Sequence, residues 1–380
     1  MGDLFYFDHA ATTAMDNRVF NEMIPFFKNE YGNASSLYSL GKSAKEAINI
    51  ARIRVASSIN CNTNEIYFTS GGTESDNLAI KGIAMANRKY GNHIITTKIE
   101  HPAVLNSCKA LENLGFNITY LNVDNLGRIS LEDLERSINR KTILISIMFA
   151  NNEIGTIQDI EKIGKIAKKY HVFFHTDTVQ AIGNCHINVR EMYIDSLSMS
   201  SHKFYGPKGV GVLYIRNGVN FVRQNDGGHQ EQDKRSGTEN TAGRVGLGKA
   251  IELATIDLNR YNSQLKTLSE YYIREVKNRI PNIKINGDLN NKLLGNNNIC
   301  FEGIDGEKLI GLLDKKGICA SSGSACTSGS LDPSHVLLAT GVNPKLAKGS
   351  LRITFGRENT IDEVNYLVSS LEECVARLRR

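Results

Sequence analysis

The chain has 380 residues, 41% of them hydrophobic and 22% charged, with a formal net charge of +5. That length suits two domains and a large buried core, and the composition is that of an ordinary globular protein. The positive charge is mild and scattered, without basic-aromatic interleaving, which argues against nucleic-acid binding, and the apolar runs are too short to span a bilayer. The opening residues, Met1 to Tyr6, carry neither a basic region nor a small-residue cleavage site, so a cytoplasmic location without membrane attachment is expected. Seven cysteines, an odd number without a Cys-x-x-Cys pair, suggest neither a disulfide framework nor a zinc site.

From residue 66 to 215 short β-rich runs alternate with longer amphipathic ones. Strands are expected at 66–69, 93–97, 117–121, 143–149, 172–175, 196–200 and 211–215, and helices at 74–88, 102–114 and 160–170. This alternation predicts an α/β fold with a mainly parallel seven-stranded sheet. The polar, glycine-rich stretch 227–240 reads as a functional loop. A long helical pattern over 241–280 then leads toward a smaller C-terminal domain.

The chemistry-bearing residues cluster at the carboxyl ends of the expected strands, where open α/β sheets bind ligands. Ser200-Ser-His-Lys203 leaves one strand for a Gly/Pro-rich turn and places Lys203 where it can form a Schiff base with an aldehyde cofactor. Ser70-Gly-Gly-Thr-Glu-Ser75 runs from a strand into a helix and forms a phosphate seat, with Thr73 and Asp76 at capping-box spacing. Asp177 suits a pyridine nitrogen, His101 suits ring stacking and proton transfer, and Asn152 and Gln180 suit hydrogen bonds to a ring hydroxyl. Together these groups match pyridoxal 5'-phosphate. Cys326 lies in a run of Ser, Gly, Ala and Thr, so a mobile segment with an exposed thiol is expected; it reads either as incidental or as reactive. Arg352, in a strand-like run, either pairs a surface acid or clamps a substrate carboxylate.

Nine motifs occur in a single order along the chain: Asp8-His-Ala-Ala-Thr-Thr13, Gly71-Gly-Thr-Glu-Ser75, Glu100-His-Pro-Ala-Val104, Asn151-Asn-Glu-Ile-Gly155, His175-Thr-Asp177, Val179-Gln180, Ser201-His-Lys203, Arg235-Ser-Gly-Thr238 and Ser322-Gly-Ser-Ala-Cys-Thr-Ser-Gly-Ser330. In them the sequence resembles, end to end, the NifS/IscS-type cysteine desulfurases, class V aminotransferases of PLP fold type I. The resemblance implies conversion of L-cysteine to L-alanine, with the sulfur held as a persulfide on Cys326. It implies that Lys203 carries the cofactor, that His101, Asn152, Asp177 and Gln180 contact its ring, and that Gly72, Thr73, Ser200 and His202 hold its phosphate. Thr238 would join the phosphate seat from the other subunit of a homodimer. Arg352 would grip the substrate carboxylate, with Asn152 beside it.

The same resemblance implies no resident metal, apart from Cys326 as a transient iron-sulfur ligand, and a scaffold protein of the NifU/IscU kind as sulfur acceptor. It divides the chain into an N-terminal segment (1–13), a large cofactor-binding domain (14–257) and a small α+β domain (258–380). His9, Ala34 and Tyr38 depart from the family pattern, which usually has Asn, Pro and His there; all three fall near the expected site entrance.

Overall fold

The computed structural model describes residues 4–322 and 332–380. Its strands are β1 (Phe5–Tyr6), β2 (Ile66–Thr69), β3 (His93–Thr97), β4 (Asn117–Leu121), β5 (Thr142–Ser146), β6 (Phe173–Asp177), β7 (Ser196–Ser200), β8 (Gly211–Ile215), β9 (Ile283–Asn286), β10 (Asn296–Phe301), β11 (Ile318–Cys319) and β12 (Ser350–Thr354). Strands β2 to β8 form the expected seven-stranded sheet, in the order β2-β8-β7-β6-β5-β3-β4. Only β8 runs antiparallel to its neighbours.

Alternate residues of these strands feed two apolar layers, because successive side chains point to opposite faces. Phe68, Ile95, Ile145, Phe174 and Met199 face one layer, with Val55 and Leu247 from the helices Ser39–Ile59 and Thr241–Ile256. Tyr67, Ile94, Leu144 and Leu213 face the other, with the helices Gly72–Asn87 and Pro102–Glu112. Burial on both faces explains why the central strands read as continuous apolar runs.

Several expected boundaries move. β5 stops at Ser146, not 149, because β3 no longer accompanies it; beyond that point only the bonds from Ile147 N to His175 O and Phe149 N to Asp177 O continue the ladder. β6 extends to Asp177, because Thr176 and Asp177 pair with Leu197 and Ser198. The pattern over 241–280 is two helices, Thr241–Ile256 and Leu258–Arg279, joined at Asp257.

The Thr73–Asp76 capping box does not form. The helix starts at Gly72 behind Gly71, whose φ of 157° favours glycine, and Glu74 Oε2 accepts from Ser70 N at 2.7 Å. Asp76 is turned inward and is 1% exposed. The 227–240 stretch is mostly loop, yet it buries Glu231 between Arg52 and Arg244, at 2.9 and 2.7 Å.

A second, smaller unit follows the sheet. β9, β10 and β12 make an antiparallel sheet, and helices Leu258–Arg279, Gly306–Asp314 and Ile361–Leu378 join it in an apolar core of their own. The N-terminal segment belongs to this core: β1 pairs with β11, and Phe7 is fully buried. Among the described residues no helix is long and apolar enough to cross a membrane.

Candidate active site

A cavity of ≈ 300 Å³ opens at the carboxyl ends of the parallel strands, and it gathers ten of the residues singled out in the sequence. These are Gly72, Thr73, His101, Asn152, Asp177, Gln180, Ser200, His202, Lys203 and Arg352. Thr238 is exposed and lies outside the lining of its own chain's cavity, and Cys326 lies outside the described residues. A more open depression of ≈ 710 Å³ elsewhere is lined by Lys45, Arg52, His229 and Glu231 among others. Its buried carboxylate, Glu231, is held between Arg52 and Arg244.

One wall is built by the sheet. Lys203 closes the short helical turn Ser201–Lys203 after β7, and its Nζ donates to the carbonyls of Ala10 and Ala11 at 2.6 and 2.8 Å. Asp177 ends β6, with Oδ1 accepting from Val179 N at 2.9 Å. Burial raises its carboxyl, while His101, that amide and Lys203 pull it back down. His101 caps helix Pro102–Glu112, and its Nδ1 accepts from Ala103 N at 3.1 Å. That bond assigns the proton of the neutral ring to Nε2. Burial lowers the His101 pKa, Asp177 raises it, and Lys203 and His335 lower it further.

The helix start expected to seat an anion lies between Gly72 and Ser200. A Cβ on Gly72 would sit 2.7 Å from Val179 Cγ2, so only glycine lets the helix start this close to the strand ends. The helix offers its unpaired N–H groups there. Beside it His202 Nδ1 lies 3.1 Å from Thr12 Oγ1, and burial, then Lys203 and Lys208, push the imidazole down to about 4. Gln180 Nε2 donates to Ala10 O at 2.9 Å.

Behind the sheet wall sits a second, wholly buried acid. Asp76 lines the cavity, and its Oδ1 has no hydrogen-bond partner among the described residues and lies 3.7 Å from His175 Nε2. Burial, then the charge of Asp177, holds its carboxyl well above the usual range. Burial also drives His175 down to about 3, and its nitrogens meet Ser146 and Ser198 hydroxyls at 2.9 and 3.1 Å. His175 is therefore neutral, and burial and Asp177 both disfavour the Asp76 anion.

The opposite wall comes from the small unit. Arg352 of β12 is 2% exposed; Nη1 donates to Asn152 O at 3.0 Å, and Nη2 to Asp8 Oδ1 at 2.8 Å. Glu153 lies behind it, accepting from the Ser334 hydroxyl, and burial raises its carboxyl to about 7 against the pull of that bond and Arg352.

Sequence reasoning missed the Ala10 and Ala11 carbonyls, Asp8 and Asp76. Asp8, Ala10 and Ala11 lie inside a quoted motif, and the spacing of Asp76 suggests a cap, but nothing local shows where any of them points. Of the departures from the family pattern, His9 packs over Gly356, where a Cβ would meet its ring at 2.1 Å, and burial pushes it down to about 4.

Comparison with known proteins bears on this arrangement. Residues 5–367 match the family model for aminotransferase class-V. A cysteine desulfurase IscS of Clostridium botulinum is 52% identical over 381 residues, covering 100% of this chain and 96% of that one. Another from Methanosarcina thermophila is 52% identical over 374 residues, 98% of this chain and 92% of its own. Among solved structures, a NifS-like protein superposes with a TM-score of 0.93 at 38% identity, covering 99% and 100% of the two chains. SspA in complex with cysteine superposes at 0.82 and 36% identity, covering 92% and 98%.

Proposed function

Because this chain belongs to the class V aminotransferases, and within them to the cysteine desulfurases, we propose that it uses pyridoxal 5'-phosphate to take L-cysteine to L-alanine and passes the sulfur on from a persulfide on Cys326. The observation that carries this reading is the convergence of Lys203, Asp177, His101, the Gly72 helix start and Arg352 on one cavity. The residues fit the cofactor. An amine, a carboxylate and a glycine-shaped anion seat answer its aldehyde, ring nitrogen and phosphate, and the glycine is one that a Cβ would spoil. Lys203 would attach it, Gly72, Thr73, Ser200 and His202 would hold the phosphate, and Asn152 and Gln180 would contact the ring.

When bound, the cofactor supplies an electrophile for the substrate amine and an electron sink for charge released at the substrate α-carbon. The chain's own residues do the rest. Asp177, buried at the end of β6, would face the ring nitrogen and favour its protonated form. The Lys203 amine would serve as the base for the substrate α-proton, and His101 Nε2 would exchange protons beside it. Arg352 grips the substrate carboxylate with its planar fork. The Cys326 thiolate forms an S–S bond to the substrate sulfur while the carbon–sulfur bond breaks. The bond electrons stay on carbon; one proton from the site goes to that carbon and another returns to the α-carbon, completing alanine.

We further propose a cytoplasmic homodimer in which Thr238 of one copy completes the phosphate seat of the other, with a NifU/IscU-type scaffold as acceptor. The division at residues 13 and 257 belongs to this reading, and the separate apolar clusters of the large sheet and the small unit support it. The test is product analysis from L-cysteine with a reductant, comparing the protein with its Cys326→Ala form. Equal amounts of alanine and sulfide, both lost in the variant, are expected. Pyruvate, or no alanine from a protein whose lysine carries the cofactor, would leave only the fold in common with desulfurases.

A further inference from the structure

The Arg352 guanidinium is shared before any substrate arrives. Nη1 is engaged by Asn152 O and Nη2 by Asp8 Oδ1, while the buried Nε has no partner among the described residues. Asp8 is itself fixed: its other oxygen, Oδ2, accepts from Ser321 Oγ at 2.6 Å. The backbone holds all three residues in register. Arg352 N donates to Ser321 O at 2.7 Å, Ser321 N to Arg352 O at 3.3 Å, and Thr354 N to Phe7 O at 2.8 Å. The arginine and aspartate side chains are only 3% and 15% exposed, so each feels the other's charge with little screening. Glu153, the other carboxyl near Arg352, is held by Ser334 and lies on the neutral side of its titration at pH values below about 7.

From this geometry we infer that Asp8 is a positioning residue of the reaction: it fixes the plane of Arg352 and partly neutralises it, and so sets how tightly the site holds an amino-acid carboxylate. The inference rests on the proposed role of Arg352 as the carboxylate clamp. A bare buried guanidinium would hold the product carboxylate as firmly as the substrate's. A resident carboxylate weakens both and lets alanine leave.

The test is the dissociation constant of L-alanine from the cofactor-loaded protein, measured by titration calorimetry, with L-alaninamide as a ligand of the same shape lacking the carboxylate. Asp8→Asn keeps an acceptor for Nη2 and removes the charge; it should tighten alanine about tenfold and leave alaninamide unchanged, tenfold being 1.4 kcal/mol. Ser321→Ala strips Asp8 of its hydroxyl donor, concentrates its charge on Arg352, and should weaken alanine a few-fold. Equal shifts for both ligands, or no shift in Asp8→Asn, overturn the inference, because a merely structural residue does not distinguish a carboxylate from an amide. Arg352→Gln separates the two levels: if it leaves alanine binding intact, the clamp reading fails and the inference falls with it. If it abolishes binding while Asp8→Asn changes nothing, only the inference fails.

Discussion

The two walls of the cavity handle buried charge in opposite ways. The sheet wall carries two buried carboxyl groups, Asp177 and Asp76, with Glu100 buried beyond the cavity lining, at 7%, 1% and 0% exposure and with no arginine hydrogen-bonded to them among the described residues. All three titrate high because burial disfavours their anions, and Asp177 alone is drawn back by His101 and Lys203. The small-unit wall instead pairs its buried arginine with Asp8 at 2.8 Å. The first arrangement favours the anion at Asp177, beside His101 and Lys203. The second supplies a positive charge and moderates it in advance. A carboxylate's function here depends on which cation it faces.

The comparison breaks most severely at Lys203. Lys203→Ala removes the proposed attachment point and base, and a loss of alanine formation of roughly 10²–10⁴ or more is expected, together with loss of the lysine-bound absorption band. Retention of that band would mean another lysine carries the cofactor. A sharper probe compares two adjacent acids of the same wall. Asp177→Asn should lower turnover by roughly 10²-fold or more, whereas Asp76→Asn, an isosteric change at a carboxyl whose anion burial and Asp177 both disfavour, should stay within a few-fold. Equal losses would show that both acids carry charge.

The smallest effect lies behind Arg352. The Glu153 carboxyl is raised from 4.5 to about 7, so the folded state binds its proton more tightly than the unfolded chain. Its effect is therefore absent below pH 4.5, and folding loses stability as pH climbs from there to about 7. Glu153→Gln keeps an acceptor for Ser334 and should raise thermal stability at pH 8 by on the order of 1 kcal/mol, with no gain at pH 4.5. An offset equal at both pH values would show that Glu153 does not titrate in this window.

The sheet wall was largely legible in the sequence. Its groups sit at or just after strand ends, and strand ends follow from local periodicity; Lys203, Asp177, His101 and Gly72 all fall where an open α/β sheet binds ligands. The small-unit wall was legible only as separate residues. Asp8 meets Arg352 across 344 positions and Ser321 across 313, and no local pattern encodes a contact of that span. The Thr73–Asp76 misreading has the same origin. Spacing alone suggested a cap, but the backbone at Gly71 starts the helix one residue before Thr73, and Asp76 turns toward Asp177 and His175. Likewise, the glycine-rich composition of 227–240 gave no sign that Glu231 would be buried against two arginines.

The measurement that bears most directly on the account is a single turnover of the cofactor-loaded protein with sulfur-labelled L-cysteine and no reductant, followed by peptide mass analysis. The account predicts one labelled sulfur on the peptide containing Cys326 for each alanine released. Label on any of the other six cysteines of the chain, or alanine formed with no protein-bound sulfur, would contradict it.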